Sequence, residues 1–294
     1  MNGAIAVVIP VRNRERWIAR AIESALAQTL APREILVIDD GSSDRSAEIA
    51  ESFGDRVRVL RQDHAGAYVA RNRAIRATDA EFIAFLDSDD AWLPHKLALQ
   101  MPLFDDERVG VVFGNAIIRH FNGDRVTTGR TLFQNTAPRA AALADFVRGN
   151  FIPFSTAIVR REAFARCGFF DEPSRLSGDY VAFFRIALQY RLAYVRDVVA
   201  EYSVHEGSWS LDLVASLESR IALFEEELQR TRANDARRVI EQLLFNLHVH
   251  LAVAYLRRGR FAAARHAWPK MRRELPRWAG ALFFHQLRRR LLRQ

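Results

Sequence analysis

The first 110 residues alternate between apolar runs and segments with helical periodicity. The runs fall at 4–9, 34–38, 56–60 and 81–86, and amphipathic helices are expected between them at 14–28, 43–53 and 67–77. Short runs of this kind are typical of strands buried on both faces of a parallel sheet. The βαβαβαβ order therefore predicts an α/β fold with a mostly parallel, Rossmann-like central sheet and helices on both faces.

Beyond residue 90 the pattern is less regular. Helices are expected at 96–104, 141–148 and 179–190, and extended segments at 109–119, 124–132, 154–160 and 193–204, the first two as a candidate antiparallel pair. From Leu211 the sequence has helical character almost to its end, with breaks near Asn234, Gly259 and Pro276. We therefore expect a catalytic-type domain at 1–210 and a helical C-terminal extension at 211–294.

The net charge of +8 is concentrated in the C-terminal segment. Residues 257–294 contain twelve Lys or Arg and one acid, Glu274, a net charge of +11. Leucines and phenylalanines share one side of that segment with arginines beside them, which favours a basic amphipathic helix on an anionic membrane. The alternative is a helix docked on the catalytic domain with solvated arginines, and nucleic-acid binding is not expected.

Cysteine content and hydropathy indicate the compartment. Cys167 is the single cysteine, so no disulfide can form within the chain and a cytoplasmic protein is expected. The apolar run at 4–11 is too short for a secretion signal. The best internal candidate for a membrane span, 243–256, falls short of the roughly 18 residues a span needs.

Polar clusters follow three of the predicted strands where each strand ends. They are Pro10-Val11-Arg12-Asn13, Asp39-Asp40-Gly41-Ser42-Ser43 and Asp87-Ser88-Asp89-Asp90. Taken alone, the second could be a turn in which Ser42 or Ser43 caps a helix, and the third a solvated turn. In a parallel sheet, however, the carboxyl ends of the strands meet at one edge, where ligands bind.

The third cluster places three carboxylates in four positions. Such charges repel one another unless something neutralises them, and the candidates are water at a surface turn, an arginine, or a divalent cation that carries an anionic ligand. Hard oxygen ligands of this kind suit Mg²⁺ or Mn²⁺, which usually bridges to phosphates. The glycine-rich phosphate loops GxGxxG and GxxxxGK[ST] are both absent after the first strand. The pattern therefore favours a metal–diphosphate held by carboxylates.

Several segments, in order and at matching spacing, resemble family 2 glycosyltransferases of the GT-A fold. The resemblance is close over residues 4–104 and weaker up to residue 210. It rests on VVIPVRNRERWIARAIESALAQTLAPREILVIDDGSSDRS, GAYVARNRAI, FIAFLDSDDAWLP, CGFFDE, GDYVAFFRIA and YSVHEGSWS.

The resemblance implies a donor site. Pro10, Val11 and Arg12 would hold the nucleotide base, and Asp40 would accept from a uracil imide, although the family usually has an aromatic residue at the position of Arg12. Further implied nucleotide-sugar contacts are Arg71, Asp87 and Ser88. Asp89 matches the metal ligand of the DXD motif, with Mn²⁺ or Mg²⁺ as the cofactor, and His205 matches a histidine that reaches the metal or diphosphate. Asp90 is expected to cap the segment that follows.

The resemblance also implies a general base, Asp179. The family has two adjacent acids here; this chain has Gly178 in place of the first and keeps the second. The alternative is that Asp179 is an ordinary helix N-cap. If it is not the base, Asp171 and Glu172 are the next candidates.

The function that the resemblance implies is metal-dependent, inverting transfer of a sugar from a nucleotide-diphosphate sugar, here a UDP-sugar, to a hydroxyl. The acceptor would be a glycan or a lipid-linked sugar in surface polysaccharide or glycolipid synthesis, at the inner face of the membrane. Two alternatives remain. One is a polyprenyl-phosphate sugar synthase, and the other is a nucleotide-sugar-binding scaffold that has lost catalysis.

Overall fold

A computed structural model describes residues 4–123, 125–132, 143–148, 151–172, 176–206 and 213–264. The strands are β1 Ile5–Val11, β2 Glu34–Asp40, β3 Arg58–Gln62, β4 Phe82–Phe85, β5 Ala91–Trp92, β6 Val109–Asn122, β7 Arg125–Thr131, β8 Ile158–Arg160 and β9 Arg191–Val204. The α-helices are α1 Ile18–Leu26, α2 Ser46–Glu51, α3 Ala67–Arg76, α4 Lys96–Gln100, α5 Arg161–Cys167, α6 Gly178–Ala187, α7 Leu213–Arg230 and α8 Asn234–Arg257.

The N-terminal half of the sheet is the predicted parallel unit. Its strands lie in the order β3-β2-β1-β4, and all three pairings are parallel. Every residue of β1 and β4 is buried, because helices cover both faces of these strands. On one face, α1 packs through Ile18, Ala21, Ile22 and Ala25, which recur at the spacing of one helical side.

The other half of the sheet is mixed. The strand order continues β4-β8-β6-β9-β5, with β8 antiparallel to both of its neighbours and β6 parallel to β9. β7 forms the expected antiparallel pair with β6. β6 and β9 therefore run in the same direction as β4. The last residues of β9 lie at the edge of the sheet where β1, β2 and β4 end.

Several predicted boundaries differ from the observed ones. The helix expected at 96–104 is α4 followed by a 3-10 helix, Met101–Asp105, since Pro102 cannot donate a backbone hydrogen bond. The segment 143–148 is 3-10 rather than α-helical. The expected strand at 154–160 begins with a 3-10 turn, Phe154–Thr156, before β8. The break expected near Pro276 lies outside the described residues.

The chain divides into two compact units. The first comprises Met1–Phe146 and Asn150–Leu211, and the second comprises Val147–Gly149 and Asp212–Gln294. In the described part of the second unit, α7 and α8 pack side by side through apolar faces. Whether 1–210 and 211–294 fold as separate domains stays a prediction.

Helix α8 is longer than the apolar segment 243–256 that the sequence analysis judged too short to span a membrane. It is 24 residues long and, on length and composition alone, could cross a membrane, although the sequence analysis judged its apolar part too short. More than half of its most apolar stretch is buried inside the protein, and a core helix meets the same criteria. Of the basic segment at 257–294, the structure describes only residues 257–264, so the expected amphipathic helix near the end of the chain lies outside the described residues.

Candidate active site

A cavity of about 380 Å³ opens at the carboxyl ends of β1, β2 and β4. Seven predicted nucleotide-sugar residues and one predicted metal ligand line it: Pro10, Val11, Arg12, Asp40, Arg71, Asp87, Ser88 and Asp89. The two remaining predicted residues, Asp179 and His205, each bond to a residue of the lining. The strand-end clusters therefore meet as the parallel sheet predicted.

Two loops at this edge are bonded to each other. Asn13, with a left-handed φ of 51°, donates its backbone N–H to Ser42 Oγ at 3.0 Å and accepts from Ser43 N at 2.8 Å through its side chain. Ser46 Oγ accepts from Arg14 N at 2.7 Å. Neither Ser42 nor Ser43 caps α2, which begins at Ser46. These serines instead fix the loop that carries Arg12 and Arg14.

Asp40, at the end of β2, has hydrogen bonds to both carboxylate oxygens. Oδ1 accepts from Gln62 Nε2 and Ala65 N, and Oδ2 accepts from His64 Nδ1 and Gly66 N, all at 2.8–2.9 Å. Burial acts to raise the pKa of Asp40, but these bonds together lower it. Four donors fill the acceptor positions that a carboxylate offers.

Arg71, on α3, contacts both a carboxylate of the cavity and an aromatic ring. Its Nη2 donates to Asp87 Oδ1 at 2.5 Å, and its guanidinium lies 4.2 Å from the centre of the Phe154 ring. Arg71 is only 8% exposed, and its Nε has no hydrogen-bond partner among the described residues. Burial raises the pKa of Asp87, Arg71 opposes this shift, and the neighbouring Asp89 adds to it. The site therefore concentrates negative charge with one buried arginine beside it.

Asp89 lies between two basic side chains. Its Oδ2 is 3.0 Å from His205 Nε2 and 3.6 Å from Arg14 Nε. The His205 ring stacks on Trp17, with centroids 4.8 Å apart and planes at 20°. The end of β9 thus brings His205 to the carboxylate that the sequence analysis marked as the metal ligand.

Asp90 is not the cap that the sequence analysis expected. It is 2% exposed, its Oδ1 accepts from Ser203 N at 2.8 Å, and its Oδ2 accepts from the Ser155 hydroxyl. Ser155 Oγ in turn accepts from Asp87 N at 3.1 Å. Burial, followed by the charges of Asp89 and Asp87, raises the pKa of Asp90 well above its usual value. Asp90 therefore links the loop at 87–90 to β9 and to the 154–156 turn through hydrogen bonds.

Asp179 lies in the first turn of α6. The helix begins at Gly178 with Ser177 at the N-cap position, so Asp179 is not the N-cap. Its Oδ1 accepts a hydrogen bond from the hydroxyl of Tyr68 at 3.0 Å. Tyr68 lines the cavity, and the charge of Asp179 acts on Asp87 across it.

The side chains of this site fit a divalent cation that is bound partly by the protein and partly by phosphate. The described residues contain no group of three or more His, Cys, Asp or Glu side chains arranged to hold a metal ion by themselves. Asp89 and His205 are adjacent, and Mg²⁺-type ions are commonly held by one or two side chains together with substrate phosphates and water. Arg12, Arg14 and Arg71, which line the same cavity, supply further positive charge.

The fold is of the GT-A type, with a mixed central sheet whose N-terminal half is parallel. Residues 6–168 match the family described as Glycosyl transferase family 2. The chain belongs to this family.

The chain is similar in sequence to individual glycosyltransferases and in fold to solved structures of such enzymes. Over 113 residues the chain is 39% identical to WfgD of Escherichia coli, a UDP-Glc:alpha-D-GlcNAc-diphosphoundecaprenol beta-1,3-glucosyltransferase; the match covers 38% of this chain and 45% of WfgD, less than half of that relative. S. aureus TarS 1-349 in complex with UDP-GlcNAc has a TM-score of 0.63 at 18% identity, covering 92% of each chain. The mannosyltransferase PcManGT from Pyrobaculum calidifontis, in complex with GDP-Man and Mn²⁺, has a TM-score of 0.66 at 18% identity, covering 99% of this chain and 81% of that one.

Sequence reasoning missed several side chains at the site. Arg14, His64 and Tyr68 all line the cavity, yet none was singled out. Arg14 could have been noticed, because it continues the basic loop after β1. His64 and Tyr68 flank Gly66, at the start of α3, and only the packing of α3 against the strand ends brings them to the cavity.

Proposed function

We propose that the chain transfers a sugar, with inversion, from a UDP-sugar to a hydroxyl of a glycan or lipid-linked acceptor. The observation that carries this proposal is the cavity at the strand ends, where Asp87 pairs with Arg71 and Asp89 lies beside Arg14. Mixed charge of this kind suits a diphosphate that arrives with a divalent cation. Membership of the glycosyltransferase family makes a nucleoside-diphosphate sugar the matching ligand.

The nucleotide would lie along the ends of β1 and β2. Pro10, Val11 and Arg12 offer an apolar edge and an exposed guanidinium plane on which a base can stack. Asp40 can accept an imide N–H only if one of its four present donors turns away. The side chain of His64 is the best placed to do so, since it is 45% exposed. Ser88 and Asp87 would contact the sugar portion of the donor.

Asp89 and His205 would hold Mn²⁺ or Mg²⁺ together with the diphosphate. When bound, such an ion neutralises the charge that develops on the departing nucleoside diphosphate. Arg14, 3.6 Å from Asp89, and Arg71 would stabilise the same charge from the protein side. The Mn²⁺ reported with PcManGT supports divalent metal use in a protein of this fold.

Asp179 would remove the proton from the acceptor hydroxyl as that oxygen attacks the anomeric carbon. Attack opposite the leaving group inverts the configuration and needs no covalent intermediate. Asp179 suits this reaction because it lies at the start of α6 and is bonded to a residue of the cavity wall. The other predicted acids are engaged elsewhere: Asp171 pairs with Arg185, and Glu172 bonds Asn72 and Arg76.

A lipid-linked acceptor fits the relative with a named substrate. WfgD acts on a sugar attached through diphosphate to undecaprenol. We therefore place this chain at the cytoplasmic face of a membrane, with the +11 segment at 257–294 as the contact to anionic lipid.

A donor and acceptor panel tests the proposal. UDP-Glc, UDP-GlcNAc, UDP-Gal and GDP-Man are each incubated with a GlcNAc-diphospholipid acceptor, in Mn²⁺ and in EDTA, and products are identified by mass spectrometry and NMR. We expect a UDP-sugar to be used, metal to be required, and the new bond to be inverted. A product linked through phosphate would identify a polyprenyl-phosphate sugar synthase. Nucleotide binding without any product would identify an inactive scaffold.

A further inference from the structure

Tyr68 and Asp179 form a contact between two helices that are distant in sequence. Tyr68 lies in the first turn of α3 and is 6% exposed, and its hydroxyl donates to Asp179 Oδ1 at 3.0 Å. Burial, together with the charge of Asp179, raises the pKa of Tyr68. The phenol therefore keeps its proton and remains a hydrogen-bond donor throughout the neutral range.

Gly178 leaves the room that the Tyr68 ring fills. A Cβ atom at position 178 would lie 2.9 Å from Cε2, 3.1 Å from Cζ and 3.2 Å from Cδ2 of Tyr68. Contacts this short are repulsive, so a larger residue at 178 would displace the ring. The backbone does not itself demand glycine here, because Gly178 is not among the residues with positive φ. The packing of Tyr68 accounts for glycine at this position.

The ring is also held from its other sides. Phe170 lies 5.5 Å away between ring centroids, and its backbone N–H and C=O both bond to the buried side chain of Asn72. The Arg71 guanidinium lies 5.1 Å from the centre of the Tyr68 ring while it donates to Asp87. A continuous set of contacts therefore runs from Asp87 through Arg71 and Tyr68 to Asp179.

We propose that Tyr68 is a positioning residue that fixes the Asp179 carboxylate relative to the donor-binding groups, and that Gly178 is required to admit its ring. This inference rests on the proposed function, in which Asp179 is the general base. A carboxylate with one oxygen tied to a buried phenol cannot rotate freely, and a rate depends steeply on such alignment.

Tyr68→Phe tests the proposal because it removes only the hydroxyl. We expect kcat to fall about 10- to 100-fold, the size expected for one hydrogen bond to a charged group. Nucleotide affinity and the KM of the donor should stay within about twofold, since Arg71 and Asp87 keep their bond.

Three further variants sharpen the test. Tyr180→Phe removes a buried phenol hydroxyl one residue after Asp179 that donates instead to Phe146 O, so it should keep the wild-type kcat. Gly178→Ala should lower kcat by displacing the ring, and the double variant Gly178→Ala/Tyr68→Phe should lose less than the product of the two single losses. Should Gly178→Ala fail to fold, Tyr68→Phe alone decides the matter.

The outcomes separate this inference from the proposed function. If Asp179→Asn is slow but Tyr68→Phe keeps the wild-type kcat, Tyr68 is not a positioning residue and the base assignment stands. If Asp179→Asn keeps its rate, or the wild-type protein transfers no sugar, the proposed function fails and this inference fails with it. A loss in Tyr68→Phe that appears only as weaker nucleotide binding would also overturn it.

Discussion

Lys96, on α4, has a buried amine without a hydrogen-bond partner. Its side chain is 0% exposed, its Nζ has no partner among the described residues, and Nζ lies 4.3 Å from the centre of the Trp92 ring. Burying an ammonium costs several kcal/mol, whereas a desolvated cation–π contact returns about 2 kcal/mol. Burial therefore dominates and lowers the pKa of Lys96 well below 10.5.

Replacing Lys96 with Met should stabilise the protein at neutral pH. The unfolded lysine binds a proton below pH 10.5, and the folded one does not until the pH falls to its lowered pKa. Between these two values the wild-type free energy of unfolding rises with pH by about 1.4 kcal/mol per unit from this group. Methionine keeps an unbranched apolar side chain and has no proton to bind, so its advantage should shrink by the same amount per unit as pH rises.

Urea unfolding of both proteins at pH 7, 8 and 9 measures this difference, and titration of all other groups cancels in it. Leu97→Met is the matched control, because Leu97 is also fully buried on α4 but carries no charge. Its effect should not depend on pH. If the difference between Lys96→Met and wild type is also constant across this range, Lys96 stays protonated against Trp92 and the reasoning fails.

Three further predictions concern the site and the C-terminal segment. Asp89→Asn should weaken the binding of UDP at least about tenfold in Mn²⁺ but not in EDTA, because only one or two carboxylates hold such an ion. Calorimetry measures this affinity, and equal binding by the variant and the wild type in Mn²⁺ would exclude Asp89 as a metal ligand. Asp90→Ala should lower the free energy of unfolding in urea by about 2–5 kcal/mol, because Ser203 N and the Ser155 hydroxyl lose their buried acceptor. Ser155→Ala should cost less, and an equal or larger cost would contradict the structural role of Asp90. A protein truncated after Arg257 should no longer sediment with anionic vesicles but should keep its affinity for UDP. If it binds vesicles as well as the full chain does, the basic segment is not the membrane contact.

The sequence predicted the parallel half of the sheet well. Strands buried on both faces must be apolar throughout, so β1, β2 and β4 were visible as short runs within one or two residues of their observed bounds. The location of the site followed from the same pattern, because polar residues that interrupt such runs fall at the strand ends. The cavity brings those clusters together as expected.

The remaining features depend on contacts between residues far apart in the chain. β5 is two residues long and α5 seven, and neither has a periodicity that sequence reasoning could detect. Asp90 was expected to cap the segment that follows it, but its observed partner, Ser203 N, is 113 residues away in the sequence. Tyr68 resembled an ordinary helical residue because Asp179 is 111 residues away. Local patterns carry no information about such partners.

The most direct test of the account is the rate of Asp179→Asn, with Asp171→Asn as its control. Asparagine keeps the size of the side chain and an oxygen that can accept from Tyr68, but it cannot take the acceptor proton. We predict a fall in kcat on the order of 10²–10⁴ for Asp179→Asn, the usual contribution of a general base, with UDP affinity and the free energy of unfolding close to wild type. Asp171→Asn should keep the wild-type kcat. Wild-type kcat in Asp179→Asn, with the loss appearing in Asp171→Asn instead, would contradict the account.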